Sequence, residues 1–141
     1  MIIGQAGKMC FSRMSEGEDV LETIKKCAEE NSIHAGAILV IGTLRDAVLG
    51  YYKNKEYKYI HLNAPLEIAS CIGNVAVDDK GEVLVHAHIV VSDENGQALG
   101  GHLMKGCHVG ATAELVIIEG KDVNLQRVFD EKTKLNILKL G

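Results

Sequence analysis

Proline is almost missing from this chain: Pro65 stands alone among 141 residues, so a Pro-rich linker between parts is excluded. Basic charge is also scarce. Lys and Arg total 15 against 19 Asp and Glu, a formal net charge of −4. A protein that grips a polyanion gathers cations on one face to neutralise phosphates and release counterions, and this balance disfavours a general nucleic-acid binder. Long hydrophobic runs are lacking too. The longest, Ala35 to Gly42, falls far short of the ~20 residues a membrane helix needs. Met1-Ile2-Ile3-Gly4 has neither the charged region nor the apolar length of a secretory signal. No CxxC pair joins Cys10, Cys27, Cys71 and Cys107, which sit among apolar or small neighbours and read as reduced core residues. The expectation is a soluble, cytoplasmic protein. Internal repeats, a Gly-x-Ser-x-Gly nucleophile motif and a Gly-rich phosphate loop are absent as well; Gly100-Gly101 alone is no such loop.

What is present is ordinary for a globular protein, with 47% apolar and 24% charged residues. The length suits one domain over residues 1–141. Fifteen glycines fall mostly between apolar runs, as short turns between short strands require. Ser15-Glu16-Gly17-Glu18 fits a capping box, with Ser15 as N-cap and Glu18 reaching back. Val20, Leu21, Ile24, Cys27 and Ala28 follow at helical spacing, which predicts one helix over about 17–30, stopped by a left-handed Asn31. Lys25 and Lys26 lie towards its negative end. Strands are predicted over Met9–Met14, Ala37–Thr43, Glu67–Val77, Val83–Ser92, Gly106–Glu119 and Leu125–Phe129, with a hairpin of Ala47–Tyr52 and Tyr57–His61 around Asn54-Lys55. Leu135–Leu140 is a short apolar tail. Helices do not alternate with strands, so the expected class is α+β: a mostly antiparallel sheet with one main helix packed on it.

The most informative stretch is Val83-Leu84-Val85-His86-Ala87-His88-Ile89-Val90-Val91. Alternation puts Val83, Val85, Ala87, Ile89 and Val91 on one apolar face and His86 and His88 together on the other. Asp93-Glu94-Asn95-Gly96 then signals a turn. With a three-residue loop and a left-handed Gly96, Asp93 pairs Gln97, Val90 faces Gly100 and His88 faces His102. Three imidazoles would converge; a two-residue loop would send His102 to the reverse face. Neutral imidazole suits a divalent metal, zinc first, with nickel or iron as alternatives. Three protein ligands with a fourth position open describe a catalytic-type zinc site. A polar patch or a subunit interface is the competing reading of the same histidines.

Other segments carry weaker signals. Tyr51–Tyr59 interleaves aromatics with Lys53, Lys55 and Lys58, as single-strand binders do, but also as a solvated hairpin does. Glu67 and Glu114 are candidate acids or bases beside a metal. Arg13, Arg45 and Arg127 are candidate anion binders with no spacing that unites them. His34, His61 and His108 read as separate, structural cases, with Cys107 and His108 on opposite faces of a strand.

His86-Ala87-His88, Ser92-Asp93-Glu94-Asn95-Gly96 and Gly100-Gly101-His102-Leu103 together resemble the core signature of stand-alone bacterial and archaeal members of the plants and prokaryotes conserved (PPC) family. Gly17-Glu18-Asp19-Val20, Leu66-Glu67-Ile68 with Gly73-Asn74, and Thr112-Ala113-Glu114 agree in order. The resemblance spans about Met9 to Leu140. It implies an antiparallel α/β fold assembled as a homotrimer, with a metal held in some members by the set matched here by His86, His88 and His102. Plant relatives add AT-hooks that bind AT-rich DNA. This chain has no Arg-Gly-Arg-Pro, so DNA is a possible but disfavoured partner. Unpaired strand edges, and Leu84 and Val90 beside the histidines, independently favour cyclic self-assembly. The biochemical activity stays undefined: a metal-binding protein, a DNA-associated or protein-interaction module, and a metal-dependent hydrolase or lyase are the alternatives.

Overall fold

Residues of alternating polarity fold into strands wherever one face can be buried, and that pattern dominates this chain. The computed structural model describes residues 1–139. Its elements are β1 (Gln5–Ser15), α1 (Val20–Glu30), β2 (Gly36–Lys53), β3 (Glu56–Leu62), β4 (Leu66–Val77), β5 (Val83–Ser92), β6 (Ala98–Leu103), β7 (His108–Lys121), β8 (Arg127–Asp130) and β9 (Leu135–Leu138). The expected α+β class with a mostly antiparallel sheet and one helix is what is found. The apolar tail expected over Leu135–Leu140 contains β9, and Leu140 lies outside the described residues. Among the described residues, no helix is long and apolar enough to cross a membrane.

Strands β1 to β7 form one antiparallel sheet in the order β1-β7-β2-β4-β5-β6, with β3 paired to β2. The two separate runs expected over Ala37–Thr43 and Ala47–Tyr52 are one 18-residue strand, β2. Its first half lies between β7 and β4, while Leu49 and Gly50 pair with Leu103 and His102 of β6. The cycle β2-β4-β5-β6-β2 therefore closes the sheet on itself. Gly42 makes the required bend possible: its φ is 138°, and a Cβ there would stand 2.5 Å from Ala113 Cα. The β2–β3 hairpin turns at Asn54 and Lys55, both with positive φ, as a tight hairpin demands.

The inner face carries Ile38, Val40, Cys71, Val75, Ile89, Leu103, Leu115 and Ile117, all buried. Helix α1 lies against β5 and β7 and closes this core with Val20, Ile24 and Ala28, spaced one turn apart. All four cysteines are free thiols. Burial pushes Cys71 up to about 12 and Cys107 up to about 11, so both stay protonated and unreactive.

The helix starts three residues later than the sequence pattern suggests. Its N-cap is Asp19, whose carboxylate accepts from the Glu22 amide at 3.0 Å, rather than Ser15. The reason is competition for backbone. Gly17 N–H donates to Val109 O, Val109 N–H to Glu18 O, and Val20 N–H to Cys107 O, each at 2.9 Å, so this stretch is tied to the start of β7. Glu18 does reach back to the Ser15 amide at 2.6 Å, but as a turn ahead of the helix. At the other end Ser32, not Asn31, is left-handed. Ser32 N–H bonds Glu29 O and Ile33 N–H bonds Ala28 O, a Schellman closure. Lys25 and Lys26 pair with Glu29 and Glu30 one turn on.

Candidate metal centre

The β5–β6 hairpin forms in the three-residue register. Asp93 N–H bonds Gln97 O, Gly96 has a φ of 74°, and the facing pairs are Ser92–Ala98, Val90–Gly100 and His88–His102. The Asp93 carboxylate locks the turn by accepting from the amides of Asn95 and Gln97, each at 2.9 Å. His86, His88 and His102 consequently share the outer face. One ring nitrogen from each lies within 4.8 Å of the others, and the ring centroids are 5.1 to 5.5 Å apart. Nitrogens around one tetrahedral zinc stand about 3.3 Å apart, given Zn–N bonds near 2.0–2.1 Å. The observed set is wider than that by up to about 1.5 Å.

Burial shapes the electrostatics. His102 is driven down to about 4, first by burial and then by His86, His88 and Arg127. His86 is lowered by burial, then by the charge of Arg127 and by His88. Both rings are thus neutral near pH 7, the form in which an imidazole can ligate a metal. His102 Nδ1 is buried without a hydrogen-bond partner, an orphaned atom that metal ligation would satisfy. The donor set fits a divalent metal.

Around the rings lie groups that sequence reasoning left scattered. Arg127 opens β8, is 7% exposed, and donates from Nη2 to Asn74 Oδ1 at 2.9 Å and to His86 Nδ1 at 3.1 Å. Its Nη1 bonds Asn136 O at 2.9 Å, while Nε is buried without a partner. Arginine has donors only, so the neutral His86 ring carries its proton on Nε2 in this arrangement, and ligation displaces that contact. Tyr57 of β3 stacks on His102 with centroids 4.9 Å apart. Asn74 faces His86 across β4–β5. An arginine between Leu125 and Val128-Phe129 in a predicted strand was the available signal, because such a cation is buried only when it is well partnered.

The remaining candidates lie elsewhere. Glu67 pairs with Thr43 and Ser92, and Glu114 with Arg13 and Ile41. Arg45 pairs with Asp46, which also holds His108 at 2.5 Å. Cys107 is in the core while His108 faces out, the opposite-face arrangement expected of neighbours in a strand. His34 and His61 are exposed. In the tyrosine hairpin, Tyr52 and Tyr57 pair edge to face, while Tyr51 stands opposite Lys58.

A closed antiparallel sheet with one capping helix and three converging imidazoles defines the class of protein. Residues 1–121 match the Plants and Prokaryotes Conserved domain, abbreviated PCC or PPC, and the chain belongs to that family. A metal-containing protein of Archaeoglobus fulgidus is 33% identical, superposes with a TM-score of 0.90, and each chain covers 99% of the other. A plant- and prokaryote-conserved protein of Pyrococcus horikoshii is 34% identical with a TM-score of 0.88, over 99% of this chain and 96% of that one. A Ralstonia eutropha protein with a provisional DNA-binding designation is 26% identical with a TM-score of 0.82, over 93% and 90% of the two chains. The bifunctional protein GlmU of Synechococcus is 31% identical over 86% of this chain, which spans only 18% of that relative's length.

Proposed function

We propose that this protein is a homotrimeric metal-binding PPC-domain protein in which His86, His88 and His102 ligate one divalent ion, zinc before nickel or iron. The observation that carries the reading is the approach of three imidazole nitrogens to within 4.8 Å on two adjacent strands. The metal-containing relative from A. fulgidus supports it. Three histidines leave one coordination position open, where a bound ion polarises a ligand oxygen or acidifies water. The chain's own part is rigidity: the β5–β6 ladder fixes His88 and His102 opposite one another, and pairing of β4 with β5 sets Asn74 opposite His86. Hydrolase or lyase chemistry needs an acid–base partner beside the ion, and neither Glu67 nor Glu114 is there. The undefined activity is therefore read as ligand binding before catalysis.

Self-association has its own support. Phe11, Val116, Leu39 and Ile72 follow one another across β1, β7, β2 and β4, and His88 continues the row on β5. Phe11, Leu39, Ile41 and Ile72 are between 44% and 72% exposed, an apolar sheet face of the kind that marks a protein contact.

Metal analysis of untagged protein tests the centre. About one ion per chain is expected after zinc supplementation, and the His88→Ala protein is expected to carry almost none. Negligible metal after zinc, nickel and iron have each been supplied, with wild type and variant alike, overturns the proposal.

A further inference from the structure

Beside the histidine rings, between the outer face of β5–β6 and the β8–β9 hairpin, lies a pocket of about 510 Å³. That is the size of a small-molecule site, typically about 300–1,000 Å³. His86, His102 and Asn74 form one wall; Arg127 and Lys134 bring two cations; Leu84, Leu135 and Ile137 supply apolar surface. Among the described residues no Asp or Glu lines it, although the chain as a whole has a net charge of −4. The second wall comes from residues beyond 121, outside the family-matched part.

We infer that this pocket binds a small oxyanion, a carboxylate or phosphate bearing a short apolar group, with the anion between Arg127 and the histidine-held metal. The inference rests on the metal reading above and names the ligand class of the same centre. Arg127 is nine-tenths buried, yet its five donors are only partly used: Nη2 on Asn74 and His86, Nη1 on Asn136, and Nε on nothing. Ligation by either nitrogen of His86 removes the lone pair that Nη2 now bonds, because Nδ1 then holds either the metal or the proton. A further guanidinium donor becomes free beside the pocket. A planar fork of that kind matches a carboxylate or phosphate edge. Lys134 is held by Glu131, whose side chain is 79% exposed, and an ion pair that open to water yields readily to a new anion. The leucine and isoleucine side chains leave room for a hydrocarbon group, not a second charge.

The test uses full-length protein loaded with one equivalent of Co(II) and freed of excess. Butyrate and monobutyl phosphate are the probes, and butyramide is the uncharged control. The cobalt absorption band and calorimetry report binding. Saturable binding of one or both anions is expected, with butyramide silent, and the tighter of the two identifies the headgroup. Arg127→Gln is expected to weaken the anion at least tenfold while cobalt is held as tightly or more so, since a neighbouring cation is gone. Lys134→Ala, at a more exposed position, is expected to weaken it severalfold without moving the melting temperature, and it decides the matter if Arg127→Gln does not fold. Cobalt-loaded protein that binds neither anion, or binds them unaltered in both variants, overturns the inference and leaves the metal centre standing. Protein that takes up no cobalt overturns the metal reading, and with it the placement of the anion against the metal, whether or not Arg127 alone still binds anions.

Discussion

His102 bears the heaviest electrostatic load of the three imidazoles, because burial and three positively chargeable neighbours all oppose its protonation. Its folded-state value near 4 lies below the ordinary 6.5, and His86 is displaced the same way. The unfolded chain therefore takes up protons that the folded rings refuse. Stability of the metal-free protein is full above about pH 6.5 and declines as pH falls towards 4. Thermal melts between pH 7.5 and 4.5 check this, and the His102→Ala slope should be shallower; equal slopes refute the assignment. Deleting a ligand is expected to cost more metal affinity than the about 10–100-fold typical of residues that only orient one. Competition against a chromophoric chelator measures that loss for His88→Ala and His102→Ala.

Strand contacts set the position of those rings, and Gly73 shows how tightly. A Cβ on Gly73 would lie 2.1 Å from His86 O and 2.6 Å from Ala87 Cα, so β4 and β5 could not keep their spacing. Gly73→Ala is expected to destabilise by about 1–3 kcal/mol, as overpacking does, and to loosen the metal through displaced His86 and His88. Denaturant titration and metal affinity should fall together. At the helix start, Asp19 accepts from Glu22 N and, with its second oxygen, from Gly106 N at 2.7 Å. Asp19→Ala should cost about 1–2 kcal/mol, the upper range for a lost cap. Ser15→Ala should cost little, because the Ser15 contact in this region is its amide on Glu18. Local chemistry made the β5–β6 and β2–β3 hairpins readable, since Asp93, Gly96, Asn54 and Lys55 dictate their own turns. The helix start was not readable locally. Ser15 and Asp19 are both good caps, and only pairing with Cys107 and Val109, some ninety residues on, chooses between them.

For the molecule as a whole, the exposed outer face is the feature a solitary chain leaves unexplained. Multi-angle light scattering is expected to give three times the chain mass. Ile72→Lys, which puts a charge in the apolar row, should shift the mass towards the monomer with the helix signal intact. A monomer mass for wild type at micromolar concentration refutes assembly. DNA belongs to this scale as well. With net charge −4, affinity for AT-rich duplex at moderate salt should be negligible, and a tight, steeply salt-dependent complex would contradict that.

Alternating polarity along Val83–Val91 was enough to put His86 and His88 on one face, because side-chain direction in a strand follows from its period. His102 joins them only with a three-residue loop at Glu94–Gly96, and that register is the one the structure has. The pocket was beyond such reasoning. Arg127 reaches His86 across 41 positions and Asn74 across 53, and no local preference encodes where a distant hairpin lands. That placement came from long-range packing: the closing of β2 onto β6, and the docking of β8 through the bridge between Val77 and Gln126. Chain order carries the ligand pattern, whereas burial and the company of a guanidinium arise only when remote segments share one volume.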